Sequence, residues 1–209
     1  MRRIYGPRFL DAITVDAWYV QGPFLRAVEK LGWLWVVVLK REDMEVYQEA
    51  QQLSQGQKPT VVFHDKERDR QVQLWEVKDL NFSPAYGKKV RVVRSEEQWV
   101  EKRVQGGCKR SQPRRSQWVW GASAELDGYG ASVIYQAGHR RWGIENKAFN
   151  ELTQAYHLEH CYHHEPTSML AQMLILMLGF TLFTAFAELH CKLMRLGALT
   201  AKALAKELD

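Results

Sequence analysis

Blocks of apolar and polar residues along the first sixty positions predict a strand, a helix and a second strand. Residues 10–19, LDAITVDAWY, form a short segment rich in β-forming residues. A helical segment, GPFLRAVEKLG, begins at Gly22 with Pro23 beside it and is closed by Gly32. The apolar run at residues 33–40, WLWVVVLK, is typical of a strand buried on both faces. Strand, helix and buried strand with short links predict a βαβ unit, and therefore a parallel pair in an α/β fold.

The pattern changes after a helical segment near residues 43–53. Between residues 59 and 124, the alternating segments TVVFH, QVQLWEV, KKVRVV and QWVWGAS predict short strands. The segment VQGGCKRSQPRRSQ, residues 104–117, reads as a loop, and helical periodicity returns from residue 131. We therefore predict three regions: 1–58 as strand–helix–strand core, 59–125 as a β-rich insertion, and 126–209 as a helical part of the same core.

The composition indicates a basic protein from a reducing compartment. The chain has 209 residues, is 46% hydrophobic and carries a net charge of +5, which suits a polyanionic partner without proving one. Three widely spaced cysteines without a CxxC pair argue against a disulfide framework. The N-terminal segment shows no long apolar stretch of a secretory signal. We predict a cytoplasmic protein.

A carboxylate, Asp16, ends the first predicted strand in the sequence ITVD. In open α/β sheets, ligands bind beyond the carboxyl ends of the strands, so Asp16 is placed to hold a metal. The alternative is that Asp16 caps or hydrogen-bonds the following turn, which is the commoner role of such a residue.

A second carboxylate, Glu145, interrupts an apolar stripe in RRWGIENKAFNEL. At helical spacing it shares a face with Trp142, Phe149 and Leu152. A carboxylate removed from water needs a neutralising neighbour, a metal or a cleft. Arg141, four residues earlier, either forms an ordinary ion pair with it or holds a phosphate while Glu145 binds a divalent metal.

The segment HRRWGIENKAFNEL resembles the glutamate-bearing signature of bacterial insertion-sequence transposases of the DDE type. That signature has an Arg four residues before the Glu, a Trp three before, an Ile just before and a Phe one turn later, matched here by Arg141, Trp142, Ile144, Glu145 and Phe149. The segment ITVDAWYVQGPFLRAVEKLGWLWVVVLKR is similar to the family's second-aspartate segment, with Asp16 as the second of three acidic residues. The resemblance covers about residues 10–189. It implies an α/β fold with a partial RNase H-like core, a mostly β insertion and a helical C-terminal region.

The resemblance also implies a chemistry. Asp16 and Glu145 would be catalytic ligands of Mg²⁺ or Mn²⁺, and Arg141 would compensate charge or contact a phosphate. Two-metal catalysis would cleave and transfer DNA strands at transposon ends and target DNA. A second copy or a full-length transposase is the implied protein partner, with no membrane, and the implied location is the bacterial cytoplasm near the nucleoid.

The sequence departs from the family pattern at three points. Positions that often hold a Tyr seven residues before the Glu and a Lys seven after it are Gly138 and Leu152. Asp11 is the only acidic residue before Asp16, so the family's first aspartate has no counterpart. The strand that carries that aspartate in the family would also be missing, which would leave the edge of the first strand here unpaired. We therefore expect a truncated transposase with little activity alone. The alternative is a non-catalytic DNA-binding remnant or a regulator of a full-length transposase.

Basic residues supply candidate DNA contacts, although such clusters are usually solvated surface. The candidates are His139, Arg140, Lys147, Lys109, Arg110, Arg114 and Arg115. A His/Cys group at residues 157–164, HLEHCYHH, fits no zinc-finger spacing, so structural histidines are favoured over a metal site. Residues 166–187 lack charge and could span a membrane, but a buried core helix is favoured.

Overall fold

The structure is a computed structural model that describes residues 10–105, 108–160 and 164–190. Within these ranges, residues 102–105, 108–110, 145, 147, 187, 188 and 190 are described by their backbone alone. The chain divides into two units, Met1–Arg141 and Trp142–Asp209.

The predicted βαβ unit is confirmed. Strand β1 (Ala12–Val15), helix α1 (Gly22–Lys30) and strand β2 (Leu34–Val38) follow one another, and β1 pairs with β2 in parallel, with Val15 opposite Val37. Pro23, in the first turn of α1, fits there because that position needs no backbone N–H donor. Four consecutive residues of β2, Trp35 to Val38, are buried, as a strand covered on both faces requires.

The β-rich region continues the same sheet. Helix α2 (Glu45–Ser54) leads into β3 (Val61–Asp65), β4 (Arg70–Asn81), β5 (Lys89–Gln105) and β6 (Cys108–Ser123). These strands form an antiparallel series that joins the parallel pair through β6 and β2, giving the order β1-β2-β6-β5-β4-β3. The described strands therefore make one mixed sheet with β1 at one edge. The division at residues 59–125 stays a prediction.

The loop expected at residues 104–117 is wrong, because β5 and β6 form a long hairpin there. Their pairing runs from Val90↔Ser123 to Gln105↔Cys108. The far part of this hairpin extends beyond the rest of the sheet, so neither of its two faces needs to be apolar. Without a buried face the strands lose the alternation by which strands are detected in a sequence.

Helices cover both faces of the sheet. Helices α1 and α2 pack on one face, where the core includes Leu25, Trp35 and Tyr86. Helix α3 (Ala131–Arg140) packs on the other face, where Trp120 and Tyr135 are nearly inaccessible to solvent. The first unit is thus a mixed α/β structure of three layers.

The second unit contains a π-helical segment (Ile144–Phe149), helix α4 (Asn150–Tyr156) and helix α5 (Pro166–His190). The expectation that α5 is a buried core helix is wrong, since Ile175 is 69% exposed and Leu189 is 71% exposed. Within its unit α5 contacts α4, through Tyr156 and Phe180, and a short helix cannot cover an apolar helix of 25 residues. Its segment Pro166–Phe186 is long and apolar enough to cross a membrane, a test that core helices of soluble proteins also pass.

Candidate functional site

The candidate site lies where the parallel strands β1 and β2 end. Asp16 directly follows β1, and the chain then makes one turn of 3₁₀ helix (Ala17–Tyr19), in which the Tyr19 N–H donates to the Asp16 carbonyl at 3.0 Å. The Asp16 side chain is 37% exposed. The predicted position at the carboxyl edge of the sheet is therefore where the carboxylate lies.

Two cations meet the same oxygen of this carboxylate. Lys40 Nζ donates a hydrogen bond to Asp16 Oδ1 at 3.2 Å, and Arg141 Nη2 lies 3.8 Å from that atom. A backbone hydrogen bond at Ala17 is the main cause that lowers the pKa of Asp16; Lys40 and Arg141 lower it further, and burial opposes them. Asp16 is thus ionised at neutral pH, as a metal ligand must be.

Lys40 was not among the residues predicted from the sequence, although the sequence carried a signal for it. The residue comes two positions after the end of β2, and β2 lies beside β1 with the same direction. Because parallel strands end at the same edge of a sheet, a side chain just past β2 can reach one just past β1.

Helix α3 places Arg141, its C-terminal flanking residue, against Asp16. The Arg141 residue is 8% exposed, so its guanidinium is held by the fold and not by solvent. The sequence connected Arg141 to Glu145 or to a phosphate; the structure shows in addition a pairing with the other carboxylate of the proposed set.

A buried polar cluster fixes α3 on the sheet. His139 Nε2 lies 2.7 Å from Glu97 Oε1, Arg70 Nη1 donates to Glu97 Oε2 at 2.5 Å, and the Tyr135 hydroxyl donates to Asp65 at 3.0 Å. Burial raises the pKa of Glu97, but hydrogen bonds from His139 and Arg70 outweigh it and hold that pKa below its ordinary value. Glu97 is therefore an anion with no exposed surface.

His139, a candidate DNA contact from the sequence, is thus part of the core. It is 9% exposed and packs against the rings of Trp118, Trp120 and Tyr135. No local feature of the chain indicates this, because the partner of His139, Glu97, lies 42 residues earlier. We remove His139 from the set of proposed DNA contacts.

The departures from the family signature have structural reasons. A Cβ at Gly138 would lie 2.2 Å from Trp120 Nε1, so α3 can approach the sheet only with glycine there. A tyrosine at this position would collide with the Trp120 ring. Leu152 is 3% exposed, so a lysine at this position would be costly. Tyr135 is committed to Asp65 and cannot replace the tyrosine of the signature.

Glu145 lies by its backbone in the π-helical segment, and its side chain is outside the described part of the structure. The buried stripe predicted around it is wrong for two members, since Trp142 is 40% exposed and Phe149 is 44% exposed. A π-helix closes its hydrogen bonds from i to i+5, so the three-and-four spacing of an α-helix does not hold there.

The described side chains hold one member of the predicted metal site. Among them there is no group of three or more His, Cys, Asp or Glu residues arranged to bind a metal ion. Asp16 fits a divalent cation in charge, exposure and place in the sheet, whereas Asp11 lies before β1, at the opposite end of the strand. Within the described part of the His/Cys segment, His157, His160 and His164 form no such group either.

The other candidate DNA contacts differ in what surrounds them. Arg140 and Arg115 are exposed, and Arg114 Nε donates to Glu101 at 2.8 Å. The side chains of Lys109, Arg110 and Lys147 lie outside the described residues.

Comparison with known families adds an independent finding. Residues 2–182 match the family model described as "Transposase DDE domain". The match includes Asp16, Arg141 and Glu145, and it spans both units of the structure. The comparison with curated proteins gives no match.

Proposed function

The chain belongs to the transposase DDE domain family, and from this premise we propose that it acts in DNA transposition through Mg²⁺- or Mn²⁺-dependent cleavage and transfer of DNA strands. The observation that carries the proposal is the ionised carboxylate of Asp16 at the carboxyl edge of β1, within 4 Å of two cations. We further propose that the core is RNase H-like and that the protein works on DNA in the bacterial cytoplasm.

In the proposed mechanism Asp16 and Glu145 would hold the metal, which when bound would activate a water or 3′-hydroxyl and stabilise the leaving oxygen. Arg141 supports the ionised form of Asp16 as a minor cause beside the Ala17 backbone hydrogen bond and Lys40, because its buried guanidinium lies 3.8 Å from Asp16 Oδ1 and lowers the pKa slightly further. Lys40 is 53% exposed, so its side chain can turn away from Asp16. A metal ion would then replace the ammonium group at the carboxylate, or a DNA phosphate would replace the carboxylate at the ammonium group. Arg140, exposed at the end of α3, is a phosphate contact in this proposal.

The test is Mn²⁺ binding measured by calorimetry, followed by Mg²⁺-dependent nicking of a duplex. The test variant is Asp16→Asn and the matched control is Asp43→Asn, which changes another exposed, arginine-paired aspartate just past β2. We expect Asp16→Asn to lower Mn²⁺ affinity at least tenfold and Asp43→Asn to leave it unchanged. Equal Mn²⁺ affinity in the wild type and Asp16→Asn would refute the metal site.

A second candidate function is a non-catalytic DNA-binding protein that regulates a full-length transposase. It is favoured by the basic hairpin and by the single carboxylate that the described side chains contribute to the metal site. This candidate predicts salt-sensitive duplex binding without metal-dependent nicking. Robust nicking abolished by Asp16→Asn would exclude the regulator.

A further inference from the structure

The hairpin of β5 and β6 continues beyond the rest of the sheet as a two-stranded arm. Pairing of β4 with β5 starts at Gln71↔Gln98, whereas pairing of β5 with β6 continues to Gln105↔Cys108. Residues 99–105 and 108–114 therefore have each other as strand partners and no third strand within the described residues. Seven residues of extended chain measure about 23 Å, so the arm reaches well past the sheet.

The arm and its base are strongly basic. Residues 98–115 contain one acidic residue, Glu101, and six basic ones: Lys102, Arg103, Lys109, Arg110, Arg114 and Arg115. In the backbone register, Arg103 is opposite Arg110, so both strands of the arm carry basic residues at paired positions. A polyanion is the kind of partner that suits this charge.

The base of the arm is concave. A groove of about 540 Å³ lies there, lined among others by His64, Trp99, Arg114 and Arg115. The Arg70 guanidinium stacks on Trp99 at 4.1 Å from the ring centroid and also pairs with the buried Glu97. Trp99, at the start of the arm, is therefore linked through Arg70 to a buried carboxylate of the core.

We infer that the arm is a duplex-DNA binding element that enters the major groove, while Arg114 and Arg115 at its base hold backbone phosphates. The major groove is about 12 Å wide and admits a two-stranded β-ribbon, and the basic residues supply the phosphate contacts. The inference rests on the proposed function in one respect, that the ligand is DNA. It needs neither Asp16 nor a metal.

The experiment measures binding of the full chain to a 30-base-pair duplex by fluorescence anisotropy, in EDTA and over a range of salt concentrations. The arm variant is Lys102→Gln, Arg103→Gln, Lys109→Gln and Arg110→Gln combined; the base variant is Arg114→Gln with Arg115→Gln. The control removes four exposed cations elsewhere in the same unit, at Arg26, Lys30, Lys58 and Lys89. Thermal unfolding shows whether each variant is folded.

We expect the arm variant to bind at least tenfold more weakly and to lower the slope of log affinity against log salt by about 3 to 4, as loss of four phosphate contacts requires. The base variant should lower the slope by about 2, and the control should leave it nearly unchanged. A control that loses as much affinity as the arm variant would overturn the inference, because binding would then follow net charge alone.

Groove choice is tested separately by competition. Methyl green, which occupies the major groove, should displace the protein, whereas the minor-groove ligand netropsin should not. The reverse result, or equal affinity for a single strand of the same length, would overturn the major-groove assignment. Because EDTA is present throughout, failure here leaves the metal site untouched, and loss of Mn²⁺ binding in the earlier test leaves this result standing.

Discussion

Two carboxylates of the first unit have similar partners and opposite surroundings. Glu97 pairs with Arg70 and His139 and has no exposed surface, whereas Asp16 pairs with Lys40 and Arg141 and is 37% exposed. The distances differ in the same sense, 2.5 and 2.7 Å around Glu97 against 3.2 and 3.8 Å around Asp16. The first carboxylate is saturated by protein partners, and the second is loosely held at an open edge where a further ligand can enter.

Helix α3 connects the two carboxylates. His139, in its last turn, binds Glu97, and Arg141, directly after the helix, reaches Asp16. Arg141 comes two positions after His139, so the contact of His139 with Glu97 restricts where the Arg141 backbone lies. The buried charge of Glu97 therefore positions helix α3, and the exposed charge of Asp16 is the one available for chemistry.

The largest effect is expected from Glu97→Ala. This change leaves the buried His139 ring and the partly buried Arg70 guanidinium without their anion, and we expect a loss of about 3–5 kcal/mol in the free energy of unfolding. Asp16→Ala, the matched change at the exposed carboxylate, should cost less than about 1 kcal/mol. Urea unfolding measures both; equal losses would mean that the two carboxylates do not differ as described.

The next effect is expected from Gly138→Ala, which tests how closely α3 lies on the sheet. The new methyl group would overlap the Trp120 ring, a rigid neighbour, and we expect a loss of about 1–3 kcal/mol in unfolding free energy. Gly128→Ala is the control, since a Cβ there meets no atom within 4 Å. If both variants unfold at the same urea concentration, the close contact of Gly138 is not present in solution.

Much of the fold was predictable from the sequence where one face of an element is buried. The parallel pair of β1 and β2 followed from the apolar run at residues 33–40, because a strand covered on both faces has no polar position. The outer hairpin of β5 and β6 was missed, because it has no covered face and hence no alternation. Helix α5 was expected in a core, but its apolar composition shows only that burial is favourable, without showing what supplies it.

The candidate site was likewise predictable in part. The position of Asp16 followed from a general rule of α/β sheets, and its exposure agrees with that rule. His139 was misassigned, because its partner is distant in the sequence and pairing over 42 residues depends on strand register. The prediction of a buried apolar stripe around Glu145 was wrong, because the backbone there forms a π-helix, which the residue types do not indicate.

A smaller effect is expected from pH, because protonation removes the charge of Glu97 but keeps a hydrogen-bonding group. The pKa of Glu97 is lowered in the folded state, so its stabilising contribution is complete above the unfolded pKa of about 4.3. It is lost as pH falls through the folded value. The difference in unfolding free energy between wild type and Glu97→Gln should therefore shrink as the pH falls below about 4. A difference that stays constant from pH 6 to pH 2.5 would show that Glu97 is not ionised in the folded protein.

The smallest effect is expected from Lys40→Met. This change tests whether a metal ion can reach Asp16 but not Glu97. Lys40 is half exposed, so its removal should change the unfolding free energy by less than about 1 kcal/mol, and the change should shrink in 1 M NaCl. Because the ammonium group competes with a cation for Asp16 Oδ1, its loss should raise Mn²⁺ affinity about two- to fivefold. Arg70→Met, which frees one oxygen of Glu97, should leave the Mn²⁺ affinity at its wild-type value, since the Glu97 carboxylate stays enclosed and adds no metal site. An affinity gain in Arg70→Met and none in Lys40→Met would reverse the roles assigned to the two carboxylates.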